Sequence, residues 1–425
     1  MARVSGRQRI VIAGGGASGL CAGVLLARNG FPVTVLEKTD TAGKKLAMTG
    51  NGRCNLSNLA TDASCYNEAA RPLIEKLLPR AGVRETVAFF REIGVLLRNE
   101  EGYLYPVSGR AKQVVASLLD AFLAAGGRMV YGAQLKRVTG AGPFRACTAD
   151  EAFDADCVIL ATGGLSGPKT TASTGDGYYI ASDLGMEVTE RFPALVRLLS
   201  DDKTLPADTG VRARARVTFL ADGVPFAEEC GEVQLTAEGI SGIPVLQAGA
   251  EAAKAMSRGA SVTASLDFFP DVTAEAWEEL ALSFVTRQTH QTAGSILNGV
   301  ADARVNEMVL SRAGIETGMP FERIAEKTRR DLMNGYRALR IRITGTADYT
   351  QAQATAGGVA LSSLSDTLES LKKPGIYCIG ELADVDGRCG GFNLQWAWTG
   401  ALVVANDISS KYDQNNANQN HGSAR

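Results

Sequence analysis

The chain has only two histidines in 425 residues, His290 and His421. That scarcity argues against histidine-based triads and histidine metal centres. His290, just ahead of a helical stretch, reads as a polar surface residue, and His421 falls in the tail. No two of the eight cysteines form a CxxC pair and none is spaced with histidine as a zinc site requires, so no metal is expected. Scattered cysteines without a disulfide framework point to thiols in a reducing cytoplasm. No apolar run reaches the roughly 18 uninterrupted residues of a membrane span, so a soluble protein with no membrane partner is expected. The basic start up to Arg9, followed by apolar residues to Ala27, resembles a secretory leader, but the glycines at 14 to 16 interrupt it. A surplus of one charge is also missing. The 44 basic and 46 acidic residues announce neither a nucleic-acid nor an acidic partner.

What is present begins at Arg9-Ile10-Val11-Ile12-Ala13-Gly14-Gly15-Gly16-Ala17-Ser18-Gly19-Leu20, which reads as a buried strand, a glycine turn and a helix start. Gly14 permits the turn, Gly16 lets backbone approach a pyrophosphate, and Gly19 lets the helix pack closely on the strand. With Ala17 and Ser18 they would present a helix N-terminus to a diphosphate. A second strand, Pro32 to Leu36, ends in Glu37, placed to accept hydrogen bonds from a ribose. Strand, helix, second strand and terminal acid agree on nucleotide binding. They do not choose between FAD and NAD.

Three further segments do. The first is Gly43-Lys44-Lys45-Leu46-Ala47-Met48-Thr49-Gly50-Asn51-Gly52-Arg53-Cys54-Asn55-Leu56-Ser57-Asn58. The second is the strand Cys157 to Leu160 running into Ala161-Thr162-Gly163-Gly164. The third is Gly380-Glu381-Leu382-Ala383-Asp384-Val385-Asp386-Gly387, then Gly390-Gly391-Phe392-Asn393-Leu394-Gln395-Trp396-Ala397-Trp398. Together they resemble the BaiN/RdsA-type flavoproteins, also called the YhiN or HI type, over nearly the whole chain. The resemblance implies FAD as cofactor and an oxidoreductase acting on CH-CH groups. It implies reduction of a C=C bond conjugated to a carbonyl, hydride from flavin N5 reaching the β-carbon and an acid protonating the α-carbon. The leading substrate is a small cyclic enone of 3-oxo steroid or bile-acid type. The alternatives are uracil of large-subunit ribosomal RNA, giving dihydrouridine, and amine oxidation. No second GxGxxG follows a strand, so NAD(P)H, the expected electron donor, would bind transiently.

The resemblance also assigns residues. Lys44 and Lys45 go to the cofactor's phosphate or ribose region, although two loop lysines are often merely solvated, and Lys38 is a further cofactor-binding candidate. Asn51, Gly52, Ala161, Thr162 and Gly163 line the cofactor, and Leu135 makes a backbone contact to adenine by fold analogy. Gly380, Glu381, Gly391, Asn393 and Leu394 meet the flavin end, where the amides of a helix starting near Asn393 would face charge that accumulates on reduction. The same glycines could form a tight turn with Asn393 an ordinary N-cap. Arg53 could polarise a substrate carbonyl or hold a phosphate, and Cys54 could exchange a proton beside the ring. The bland readings are a loop salt bridge for Arg53 and an inert buried thiol for Cys54. Trp396 and Trp398 read as core.

The expected fold is α/β: a Rossmann-like FAD-binding domain with an inserted β-barrel-like domain and a small helical cap. The discontinuous FAD domain comprises residues 1–190 and 345–410, the β domain 191–272, the cap and return 273–344, and a disordered Asn/Gln-rich tail 411–425. Apolar spacing predicts helices over Val83 to Ile93, Arg110 to Ala125, Trp277 to Thr286, Ser295 to Leu310 and Ile324 to Leu339. Strands are predicted at Arg128 to Tyr131, Ala155 to Leu160, Arg216 to Leu220, Val262 to Phe268 and Ile376 to Ile379, with a hairpin turn at Asp222-Gly223. Arg323, Lys327, Arg329, Arg330, Arg337, Arg340 and Arg342 form a local basic surplus, and Arg212, Arg214 and Arg216 alternate along a strand. Such a surplus could grip RNA phosphates or be an ordinary solvated face and edge strand.

Overall fold

The computed structural model describes residues 7–206, 210–287 and 289–422, with side chains as far as Gln414. It divides into two compact units, Met1–Arg191 with Ala354–Arg425, and Phe192–Gln353.

The first unit is built on a parallel sheet of five strands in the order Ile376–Cys378, Cys157–Leu160, Ile10–Ala13, Val33–Glu37, Arg128–Tyr131. A parallel sheet covered on both faces needs strands without a polar side, and Ile10–Ala13 and Cys157–Leu160 are buried at every position. The helix Ala17–Arg28 packs against both Ala111–Ala124 and the final helix Phe392–Gly422, so it is buried almost all round. Ala111–Ala124 offers the stripe Ala111, Val114, Leu118 and Phe122, and Phe122 reaches Gly23, where a Cβ would lie 3.1 Å from its ring. The final helix starts at Phe392, one residue before the expected start. The expected disordered tail instead continues that helix to Gly422, and residues 423–425 lie outside the described residues. Once nucleated and docked, a helix gains one hydrogen bond per added residue.

The second unit holds an antiparallel sheet of seven strands, ordered Leu339–Ile343, Val262–Asp267, Val211–Ala221, Val224–Thr236, Gly239–Ser241, Leu198–Leu199, Gly345–Thr346. Its two edges are consecutive pieces of chain, so the sheet curls in a barrel-like way, although no ladder joins those edges. Asp222 and Gly223 join the two long strands with φ of 49° and 82°, the left-handed pair a two-residue hairpin favours.

The expected separate β domain and helical cap share one core, with Phe219 and Leu266 of the sheet in the same cluster as Trp277, Leu310 and Tyr336 of the helical part. Each short helix has a single apolar stripe and needs a partner to bury it. Within the β region the chain forms the helix Ile243–Ser257, whose Pro244 suits a first turn. The helix expected over Ser295 to Leu310 is two, Ala293–Ile296 and Ala303–Arg312. The one expected to reach Leu339 ends at Gly335, and Leu339–Ile343 becomes a strand whose residues alternate buried and exposed. His290 is solvent-exposed, its Nδ1 3.0 Å from Glu322, and the side chain of His421 lies outside the described residues.

Candidate functional site

In open α/β sheets ligands bind at the carboxyl ends of the strands. There the first unit gathers the turn after Ile10–Ala13, Glu37, the turn after Cys157–Leu160, and Gly380. The three fingerprint glycines have different reasons. A Cβ on Gly14, at φ +109°, would lie 2.4 Å from Ala161 O, and one on Gly19 would lie 1.9 Å from Gly14 O. Internal packing therefore forces both. A Cβ on Gly16 meets nothing within 4 Å. No packing of the protein against itself demands glycine there, as expected of a position that leaves room for a ligand. Gly16 is also the N-cap of the helix containing Ala17 and Ser18, with no side-chain cap and no acid in the first turn, so the positive helix end is left for an anion.

Glu37 Oε2 accepts from Gly15 N–H at 3.0 Å, and Oε1 accepts from Thr39 N–H and Oγ1 at 2.9 Å each. Of about four acceptor sites on a carboxylate, one is left over. Leu135 sits in a loop pinned beside this acid: Ala133 N–H donates to Glu37 O at 2.9 Å and Lys136 N–H to Cys147 O at 2.8 Å. The lysines divide. Lys38 Nζ is held by Thr174 at 2.8 Å and Asp176 at 3.0 Å, and Lys44 pairs with Asp40 at 3.0 Å. Lys45 instead bridges loops, its Nζ 2.5 Å from Glu381 Oε2 and 2.5 Å from Ser166 Oγ. Glu381 Oε1 also accepts from Thr355 N–H at 2.8 Å, and Thr355 Oγ1 accepts from Leu165 N–H at 2.8 Å. Ser166 and Thr355, which sequence reasoning did not single out, thus tie Lys45 and Glu381 together. Their only sequence signal was their nearness to Gly164 and to the return of the chain.

The segment Thr49–Asn58 faces the turn that enters the final helix. Asn51, Cys54, Gly50 and Gly52 all adopt positive φ, and a Cβ on Gly52 or on Gly163 would also meet nothing within 4 Å. Gly391 lies so close to this segment that a Cβ would be 2.8 Å from Ser57 O and 3.0 Å from Asn55 Oδ1. Asn393 is no simple N-cap: its Oδ1 accepts from Gly387 N–H at 2.9 Å and its Nδ2 donates to Gly387 O at 2.8 Å, which closes the turn before the helix. Leu394 is partly buried against the core. No acidic residue stands in the helix's first turn. Trp396 and Trp398 are core residues, their indoles donating to Gly380 O and Leu56 O at 2.9 Å each.

Of the two readings of Cys54, the buried thiol is the one its surroundings favour. Cys54 is fully buried, and that burial pushes its thiol up to about 12 despite a bond with Thr49. A thiol so placed is the inert buried kind. Arg53 is a salt bridge, its Nη2 2.7 Å from Glu100 with the guanidinium 4.4 Å above the Tyr105 ring. Among the described residues, two buried polar atoms in these loops have no hydrogen-bond partner, Asn55 Oδ1 and Thr162 Oγ1. Orphaned acceptors of this kind are costly unless a bound group completes them. The open space at Gly16, the uncapped helix and these two atoms fit a dinucleotide cofactor. A separate cavity of about 250 Å³, lined by Asp156, Cys157, Glu369, Tyr377 and Lys411, opens at the strands' amino ends, away from these loops.

The family model described as HI0933-like protein Rossmann domain matches residues 8–407. The chain is 36% identical over 402 residues to a 3-dehydro-bile acid delta(4,6)-reductase of Clostridium scindens, covering 93% of this chain and 98% of that protein. It is 30% identical over 410 residues to a ribosomal RNA dihydrouridine synthase of Haemophilus influenzae, covering 94% and 98%. Its fold resembles that of 3-ketosteroid-delta4-(5alpha)-dehydrogenase from Rhodococcus jostii RHA1, with TM-score 0.51 at 12% identity, covering 96% of this chain and 98% of that one.

Proposed function

The chain belongs to the HI0933-like Rossmann-domain family of FAD oxidoreductases, and on that premise we propose that it reduces the carbonyl-conjugated C=C bond of a small cyclic enone of 3-oxo steroid or bile-acid type, with NAD(P)H as electron donor. Bound FAD supplies the hydride chemistry. The amides of Gly16, Ala17 and Ser18, reached past Gly14 and Gly19, hold the diphosphate. Glu37 takes a ribose hydroxyl on its remaining acceptor site, and Leu135 lies along the adenine. Lys45 and Glu381 orient the central part of the cofactor, with Asn51, Gly52, Ala161, Thr162 and Gly163 around it. The first amides of the final helix, from Gly391 to Leu394, meet the charge that develops on reduction. Lys38 and Lys44 serve their local carboxylates, and Cys54 is not the acid.

The observation that carries the choice of a small substrate over RNA is the state of the basic residues in the second unit. Gripping phosphates needs cations without carboxylates of their own. Arg212 pairs with Glu232 at 2.9 Å, Arg214 with Asp271 at 2.9 Å, Arg216 with Glu228 at 3.7 Å and Arg337 with Asp267 at 2.9 Å. Arg342 pairs with Asp201, and Arg329 is buried. Five of the arginines that could have formed a basic face therefore have carboxylates of their own. The 36% relative, whose name is that of a bile-acid reductase, supports the same choice.

The test is anaerobic stopped-flow absorbance of the reduced flavoprotein mixed with a 3-oxo ring enone or with unmodified ribosomal RNA. Rapid reoxidation by the enone alone is expected. Reoxidation by RNA alone, or by neither, overturns the proposal, and the second result would point to an oxidase turning over amines.

A further inference from the structure

Deepening the reading above, and resting on it for the reaction, we propose that the outer face of a small antiparallel sheet in the first unit, formed by Ser57–Asn58, Leu97–Glu100 and Tyr103–Pro106, binds a flat apolar ring system that carries an anionic group. The strands pair Ser57 with Leu104, Glu100 with Tyr103, and Arg98 with Tyr105. Cross-strand partners share a face, and successive residues alternate. Leu104 and Pro106 turn inward and are buried, so Tyr103 and Tyr105 turn outward with Glu100 and Arg98. The next rung, fixed by Val107 N–H donating to Leu96 O at 2.8 Å, adds Leu96 and Val107.

Around the charged Arg98 and Glu100, this face leaves several large apolar side chains in water. Leu96 is 63% exposed, Val107 54% and Tyr103 38%, and Leu59, beside the hairpin tip through its bond to Gly102 O, is 54% exposed. A single exposed leucine means nothing, but four large apolar side chains exposed around one small sheet face, flanking its charges, point to a binding surface. The patch adjoins the candidate site. Asn58 Nδ2 donates to Gly390 O at 3.0 Å, and a Cβ on Gly390 would lie 3.1 Å from the Tyr103 ring.

Charge names the rest of the occupant. Arg53 and Arg98 share the single carboxylate of Glu100, at 2.7 and 2.9 Å, which leaves a guanidinium in excess on the ladder face. Planar guanidinium forks match carboxylates in two-point contact. A base-stacking RNA platform is a poorer fit, because it needs successive open aromatic faces. Here Arg53 already covers the Tyr105 ring, and the cross-strand partners of Tyr103 are Glu100 and Asn58, not further aromatic faces.

The test titrates the oxidised holoenzyme with 3-oxo-4-cholenoate, with its uncharged methyl ester, and with a uridine-rich RNA hairpin, following the flavin absorbance change and heat of binding. Arg98→Gln is expected to weaken the carboxylate about tenfold while leaving the ester within about twofold, a loss matching one charge-assisted contact. Leu96→Ser combined with Val107→Ser is expected to weaken carboxylate and ester alike by about tenfold. The proposal is overturned if Arg98→Gln affects both steroids equally or neither, if the serine pair changes nothing, or if the wild type binds only the hairpin. Tight binding without reduction would sink the proposed reaction and keep this surface. Reduction of the ester with no preference for the carboxylate would do the reverse.

Discussion

Replacing Gly14 and Gly16 by alanine, one at a time, separates a glycine required by the fold from one required by the cofactor. At Gly14 the backbone sits at φ +109° and the new Cβ would lie 2.4 Å from Ala161 O, part of a central strand's exit that cannot give way. A strained backbone costs about 1–3 kcal/mol, and the clash adds to it, so a loss of about 3 kcal/mol or more is expected. For units of 150–250 residues each kcal/mol is worth about 2–4 °C, so apoprotein melting should fall by roughly 6–12 °C. Gly16 has φ −82° and ψ −166°, which alanine adopts freely, and open space where its methyl would go. Gly16→Ala should leave the apoprotein unchanged or raise its stability by about 0.4–1 kcal/mol through the unfolded chain. It should nevertheless weaken FAD, because the methyl occupies the diphosphate's approach. Overpacking of about 1–3 kcal/mol corresponds to roughly 5- to 150-fold in affinity. The assay is melting of flavin-stripped protein together with FAD titration by fluorescence quenching. If Gly16→Ala melts as low as Gly14→Ala, or binds FAD like the wild type, the assignment of Gly16 to the cofactor is wrong.

Cys54→Ala should leave enone-driven reoxidation of the reduced flavin within about twofold; a hundredfold loss would restore the thiol to the mechanism. Its ordinary value of 9.0 rises to about 12 in the fold, so the native state favours the neutral thiol, and that contribution to stability is complete below about pH 9 and lost as pH rises toward about 12. Urea midpoints measured from pH 8 to 11 should therefore fall less steeply in Cys54→Ala than in the wild type, and parallel curves would contradict the burial argument. Arg329→Met removes a buried guanidinium that donates to Ile324 O at 2.8 Å, Val285 O at 2.9 Å and Arg287 O at 3.3 Å. Three carbonyls lose a charged donor, so unfolding of the second unit should become easier by about 2–4 kcal/mol, and a urea shift worth under about 1 kcal/mol would mean those bonds contribute little.

The parallel sheet was legible because its strands are short apolar runs bounded by turn residues, and burial on both faces leaves no competing pattern. Arg128–Tyr131 forms at the residues expected, and the helix Ala111–Ala124 sits within one residue of the expected bounds at each end. The second unit was harder for a physical reason. Leu339, Ile341 and Ile343 alternate with Arg340 and Arg342, a strand's period, yet they follow a helical stretch without a break, and their partners in Val262–Asp267 lie 73 to 81 residues earlier. Local spacing could not weigh that distant ladder against the continuing helix. In the same way the helix Ile243–Ser257 is rich in alanine and small residues, and only packing inside the curled sheet gives it a face.

At the candidate site, the residues that read correctly as close together were those whose backbone was already constrained, the glycine turns. Charged side chains read poorly, because their partners are remote in sequence. Lys45 meets Glu381 across 336 residues and Arg53 meets Glu100 across 47, whereas Lys44 stays with Asp40 four residues away. Seen alone, all of them were equally available to a phosphate or a substrate. The same blindness left the arginines of the second unit open to both an RNA grip and an ordinary solvated face, since the carboxylates that balance Arg214, Arg337 and Arg342 come from other segments. A run of like charges in sequence is therefore weak evidence of a charged surface until the fold shows where the opposite charges fall. By that measure Arg53 and Arg98, two guanidiniums on one carboxylate beside an exposed tyrosine, are a stronger pointer to an anionic substrate than the longer arginine series.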